Sequence, residues 1–136
     1  MIFVDTSTLV DALTGPKHSW TKIERVLEDG ARLFLTSLVL YEWLRGPRTA
    51  EEIGIQEDLF PSHRIVPFVA DDAKLSAEFY RTLPRARTRE MDLGIAAIAI
   101  RHHAPLWTLN PQDFKDIPLL RLYRRHVDPF QAPPTR

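Results

Sequence analysis

The chain has 136 residues, 44% of them hydrophobic, with 18 basic and 18 acidic side chains and a formal net charge of zero. That length suits one domain with a real core, which needs neither disulfides nor a structural metal to hold it. The absence of cysteine excludes disulfides, thiolate zinc sites and a cysteine nucleophile, and zero net charge means that any contact with nucleic acid must use a local basic patch.

Met1 to Asp5 turns acidic too soon for a signal peptide, and no apolar run reaches the length of a bilayer span. A soluble cytoplasmic protein is expected. Ile2-Phe3-Val4 reads as a buried strand that stops at Asp5 and turns into a helix capped by Thr6 or Ser7. Gly15-Pro16 breaks that helix. Trp20, Ile23, Val26 and Leu27 recur at helical spacing up to Asp29-Gly30. Leu33 to Thr36 is a second buried strand. Ser37 opens a helix that carries Glu42 and ends at Gly46-Pro47, and Ala50 to Phe60 is helical.

Arg64 to Pro67 reads as a third short strand, followed by a helix capped by Asp71 or Asp72 and stopped by Pro84. Arg85 to Arg89 is a basic, exposed loop. Asp92 starts a small-residue helix whose Ile95, Ala96, Ile98 and Ala99 face inward, closing at Ala104-Pro105. Leu106-Trp107-Thr108 is a fourth strand. Asn110 caps a helix start with Pro111 in first position, where a missing N–H costs nothing. Leu119 to Tyr123 forms a final edge strand, and residues 129–136 are a Pro-rich tail after a single domain spanning 1–128. Strands alternating with helices predict an α/β fold with a parallel sheet covered by helices on both faces.

In an open parallel sheet, ligands sit beyond the carboxyl ends of the strands. Asp5 directly follows the first strand, Glu42 lies in the helix after the second, Asp92 starts the helix before the fourth, and Asp113 follows the fourth. Taken singly, each has a structural role open to it, as a turn former, a helix-start acid or a surface partner for Arg45. Together at one sheet edge they would repel each other unless some take up protons or a cation lies between them. All-oxygen ligation selects a hard ion, Mg2+ or Mn2+, over zinc. Such an ion turns a pocket that repels phosphate into one that attracts it. Ser7, Thr108 and Asn110 offer neutral hydrogen bonds to orient carboxylates, or serve only as caps and turn formers.

Four segments carry a resemblance. Phe3-Val4-Asp5-Thr6-Ser7, Tyr41-Glu42-Trp43-Leu44-Arg45-Gly46, the run Met91-Asp92-Leu93-Gly94-Ile95-Ala96-Ala97-Ile98-Ala99, and Leu106 through Asp113-Phe114 resemble, in order and spacing, the four acidic motifs of PIN-domain nucleases. The compact size resembles the VapC toxins of VapBC toxin–antitoxin pairs. The resemblance implies a PIN-like three-layer sandwich with a central parallel sheet of four to five strands. It also implies Mg2+ or Mn2+ dependence, endonucleolytic cleavage of RNA, a homodimer, and a small antitoxin in the active-site groove. Carried over by position, Asp5 and Asp92 would be the central metal ligands, Asp113 would complete the site directly or through water, and Glu42 would ligate the metal or position the attacking water.

Arg85, Arg87 and Arg89 are the preferred contacts to an RNA backbone, with plain solvation the alternative. Asp11 and Glu90, extra acids near the site, are read as surface groups. The five histidines show no metal-binding spacing, and Trp20, Trp43 and Trp107 are assigned to packing before base stacking. The same acids would also serve a DNA nuclease or phosphatase, and an idle acid pocket would leave a binding module.

Overall fold

The computed structural model describes residues 1–124, so the expected tail lies outside the described residues. Three short parallel strands, β1 (Ile2–Val4), β2 (Leu33–Phe34) and β3 (Leu106–Trp107), lie in the order β2-β1-β3. Ile2 pairs with Leu33 and Phe3 with Phe34 on one side; Phe3 pairs with Leu106 and Val4 with Trp107 on the other. The central strand is buried along its whole length, as a parallel strand covered on both faces must be.

Six helices flank the sheet: α1 (Thr6–Leu13), α2 (Trp20–Glu28), α3 (Ser37–Arg45), α4 (Ala50–Leu59), α5 (Ala70–Thr82) and α6 (Glu90–Arg101). Every residue of α6 from Leu93 to Ala99 is buried. Its alanines let it lie between neighbours on all sides, which explains the weak amphipathic pattern of this stretch.

The sheet is narrower in regular pairing than the sequence suggests. The expected third strand is a 3-10 turn, Ser62–Arg64, and a single parallel bridge between Val66 and Thr36. Pro61 and Pro67 bracket that bridge and have no N–H to extend a ladder. The expected last strand is likewise one bridge, Leu122 to Leu106. Leu119, left-handed at φ 70° and 80% exposed, keeps the preceding residues off the sheet.

Helix starts also differ from expectation. Neither Thr6 nor Ser7 caps α1; Asp5 occupies the cap position, in extended conformation, and the two hydroxyls bond elsewhere. In α5 the cap position is Val69, and Asp72 at the third helical position accepts from the Val69 N–H at 2.9 Å. Asp72 is also held by Arg101 of α6, at 2.7 Å, which pins the two helices together. Helix α6 begins two residues before Asp92, which takes the third position. Asn110 makes no side-chain cap bond, and the turn after it, Pro111–Asp113, is a single 3-10 turn.

Gly94 is the close-approach point of α6. A Cβ there would lie 2.6 Å from Leu38 Cδ1 and 3.3 Å from Phe68 Cε1. Glycine's helix penalty of about 1 kcal/mol is accepted where α3 and the Phe68 segment come in. Gly94→Val, which adds a branched side chain at this contact, is expected to lower unfolding free energy by about 1–3 kcal/mol in urea titration.

Candidate active site

The turn from β1 into α1 supplies three consecutive hydroxyls, and each fixes a different part of the site. Thr6 Oγ1 donates to Glu42 Oε1 at 2.7 Å, tying α1 to α3. Ser7 Oγ donates to Asp5 Oδ2 at 3.0 Å and accepts from the Leu109 N–H at 3.0 Å. Thr8 Oγ1 donates to the Trp107 carbonyl at 3.0 Å. Just after β3, Thr108 Oγ1 donates to the same Asp5 oxygen at 2.7 Å and accepts from the Asn110 N–H at 3.0 Å. Asp5 is buried, and both hydroxyls use Oδ2, which leaves Oδ1 free of them.

Asp5, Glu42 and Asp92 line one open cavity of about 570 Å3. Asp113 is not on its wall. It stands near enough, however, for its charge to act on Asp92. Burial, then the charges of Asp5, Glu42 and Asp113, push the Asp92 carboxyl up to about 7, against the smaller opposing pull of Arg89. The four acids therefore share one field, although among the described residues no three carboxylates or imidazoles converge tightly enough to chelate an ion unaided.

The basic segment is not the exposed loop expected from its composition. Ala86–Thr88 is a 3-10 turn, and Arg89 is buried at 5% exposure. Its Nη1 donates to the Pro84 carbonyl at 3.1 Å and its Nη2 to the Asp113 carbonyl at 2.8 Å, while both nitrogens grip Asp116, at 2.9 and 2.5 Å. A guanidinium fork must bury paired or not at all, and Asp116 is the pairing acid that sequence reading overlooked. Arg89 immediately precedes α6, so it links the start of the Asp92 helix to the Asp113 turn. Arg85 and Arg87 are exposed, as expected.

A second basin of about 340 Å3 shares Glu42 and Asp92 with the first and is bounded by Arg45, Arg87 and Thr88. Arg45 lies 3.5 Å from Glu42 Oε2 and is largely free to swing toward solvent. Trp43 is wholly buried and unavailable to stack on a base. His102, half-buried, packs 5.6 Å from the Phe3 ring, and burial lowers its pKa.

Sequence reading missed two residues of the cavity wall. Thr6 was taken for a cap, and only the fold shows it reaching Glu42. Asp11 was set aside as a surface acid, yet it lines the cavity from α1, one helical turn beyond Ser7. That spacing, four residues along one helix face, was a signal within reach of the sequence.

A family model described as the PIN domain matches residues 2–120. The chain belongs to the PIN-domain family. PIN domains are nucleases, enzymes that hydrolyse nucleic acids, and they use divalent metal ions. Similar solved structures include VapBC2 from Rickettsia felis bound to a DNA fragment from its promoter, at 26% identity and TM-score 0.72, over 90% of this chain and 98% of that one. DNA-bound VapBC from Salmonella typhimurium is 20% identical with TM-score 0.69, over 90% and 96% of the two chains. VapBC-5 from Mycobacterium tuberculosis, a member of the VapBC family of toxin–antitoxin systems, is 20% identical with TM-score 0.59, over 90% and 97%. No curated protein matches the chain significantly.

The donor set of this PIN domain fits a hard divalent ion. Its acids offer only oxygen, and the Asp92 carboxyl is raised first by burial and then by the charges of Asp5, Glu42 and Asp113, which the neighbouring Arg89 does not offset. Mg2+ keeps several of its waters, so it does not require three protein ligands in direct contact.

Two stability measurements test this electrostatic arrangement. The folded Asp92 carboxyl holds its proton up to about 7, against 3.8 for an ordinary aspartate, so ionising it costs stability that is absent below about pH 4 and complete above about pH 7. In EDTA, Asp92→Asn is therefore expected to melt several degrees higher than the parent at pH 8 and at the same temperature at pH 4. Equal melting at pH 8 would show that neither burial nor the neighbouring acids hold the Asp92 proton in this way. For Asp116 the sign is opposite. Its hydrogen bonds from Arg89 lower its pKa, so its contribution is present above the ordinary carboxylate value and lost as pH falls through the depressed one. Asp116→Asn should lose about 1 kcal/mol at pH 7, since Asp116 is exposed and the pair is screened by solvent, and the loss should shrink in acid, as read by urea unfolding across pH.

Proposed function

We propose that this PIN domain is an Mg2+- or Mn2+-dependent endoribonuclease that acts in the cytoplasm as the toxin of a toxin–antitoxin pair. The observation that carries the nuclease chemistry is the meeting of Asp5, Glu42 and Asp92 on one open cavity that adjoins an arginine-lined basin. Asp5 through Oδ1 and Asp92 would hold the ion, with Glu42 and Asp113 completing the site directly or through water. When bound, a divalent ion supplies a Lewis acid for the phosphoryl oxygen and lowers the pKa of a coordinated water.

The chain's own residues orient and restrain. Thr108 and Ser7 hold Asp5 in one rotamer through Oδ2. Thr6 holds one Glu42 oxygen and Arg45 lies beside the other, which aims that carboxylate into the cavity mouth, where an attacking water would be received. Arg87 lines the basin, and with the exposed Arg85 two residues before it suits the phosphates flanking the scissile one. Arg89 acts in this scheme through Asp113 and Asp116 and only indirectly on RNA.

The toxin reading rests on the likeness to VapBC structures at nearly full coverage of both chains. It brings a small antitoxin partner and a homodimer with it. Exposed apolar side chains support such contacts, with Tyr41 and Leu44 standing out on α3 and Phe68 and Val69 before α5. Among the described residues no helix is long and apolar enough to cross a membrane.

With Mg2+ or Mn2+, the protein is expected to cut single-stranded RNA internally, to leave DNA and small phosphate esters untouched, and to stop in EDTA. Asp5→Asn should lower cleavage by more than about a hundredfold without lowering the melting temperature, and Thr108→Val, which removes only the hydroxyl that orients Asp5, by about 10–100-fold. Cleavage that survives EDTA or Asp5→Asn would remove the proposed site; equal cleavage of DNA would remove the RNA assignment.

A further inference from the structure

Glu42 and Asp92 stand on the border between two basins. Arg45 and Arg87 bound one of them. Among the described residues, the larger one, beyond Asp5 toward the α1–α2 connection, has no lysine or arginine on its wall. Past the catalytic acids its polar atoms come from Asp11, Thr14 and Asn110, and its apolar surface from Val10, Pro16 and Leu109. At that far end, away from the acids that would hold the ion, no cation stands ready for a phosphate. A nucleobase has a favourable place there, because it needs apolar surface for its faces and neutral or acidic acceptors for its edge.

We infer that this larger basin is a nucleobase subsite in which Asp11 reads guanine. This inference rests on the ribonuclease reading above and assigns the direction in which the strand lies: backbone over the arginines, one base toward Asp11. Asp11 is the group suited to reading because it is held. Ser19, itself buried at 1% exposure, donates its hydroxyl to Asp11 Oδ2 at 2.5 Å. Among the described residues, Asp11 Oδ1 has only the exposed His18 nearby, at 4.0 Å, and Asp11 lines the cavity.

A fixed carboxylate accepts hydrogen bonds and donates none. Guanine offers two adjacent donors on its pairing edge, N1–H and the N2 amino group, and meets it without conflict. Uracil offers one donor between two carbonyl oxygens that the carboxylate repels. The discrimination expected from one such recognition pair is about tenfold or more.

The test uses the full chain, Asp11→Asn and two readouts. In the first, each protein cuts a pool of short RNAs, randomised at central positions, in Mn2+, and the cut ends are sequenced. In the second, fluorescent pentanucleotides with a central guanine or uracil bind in Ca2+, read by anisotropy. The parent is expected to prefer guanine beside the cut and in binding by about tenfold, and Asp11→Asn, at an unchanged melting temperature, to lose the preference in both. Cleavage with no guanine preference, or a preference that Asp11→Asn leaves intact, overturns the subsite. Guanine-selective binding without any cleavage overturns the nuclease reading and leaves the subsite standing. Neither cleavage nor base discrimination overturns both.

Discussion

Repulsion among carboxylates that must share one end of a sheet is the constraint around which the rest is arranged. Asp92 is half-buried and sees three other acids, and the result is a carboxyl that resists ionising. The fold answers by fixing the acids with neutral donors instead of cancelling them with cations. Thr6, Ser7 and Thr108 spend their hydroxyls on Glu42 and Asp5. Neutral donors orient a carboxylate while leaving its charge for an incoming ion, which a tight arginine would take away.

The cation whose charge acts on Asp92 is used for another purpose. Arg89 lies beside the acids, yet its fork faces Asp116 and two backbone carbonyls. It therefore binds the α6 start to the Asp113 turn, two elements far apart in sequence whose relative placement decides whether Asp113 can act with Asp92. Its charge still lowers the Asp92 pKa, but as the smallest contribution. Arg45, by contrast, lies at the rim, where its 3.5 Å approach to Glu42 is loose enough to break when phosphate arrives.

The sequence carried the parallel α/β architecture because Ile2–Val4, Leu33–Phe34 and Leu106–Trp107 are apolar runs separated by helical periods. Strand ends in a parallel sheet lie at one edge, and that rule alone pointed to the end where Asp5, Glu42 and Asp92 share a cavity. What the sequence hid were features decided by tertiary partners. Arg64 to Pro67 has the apolar, β-branched look of a strand, but flanking prolines cut its pairing to one bridge. Arg89 has the look of its exposed neighbours Arg85 and Arg87, and only Asp116, twenty-seven residues on, draws it inside. Thr6 and Ser7 have the look of caps, and are withdrawn from capping because Glu42 and Asp5 compete for them. Composition and periodicity speak to a residue's neighbours in the chain; each of these cases turns on a neighbour in space.

The asymmetry of the two basins follows from the same economy of charge. In the proposed reading, a strand of RNA crossing the acids would keep its phosphates within reach of cations, and those cations stand on one side of Glu42 and Asp92. The far end of the opposite side, built by the α1 face and the turn after β3, offers no cation and suits the uncharged part of a nucleotide. Chemistry and base choice would then be separated along the length of α1, with Asp5 at its start serving the reaction and Asp11, between one and two turns along the same helix, the choice of base. Rigid placement of both on one short helix, anchored by Thr8 to the Trp107 carbonyl, would tie where the backbone is cut to which base lies beside the cut.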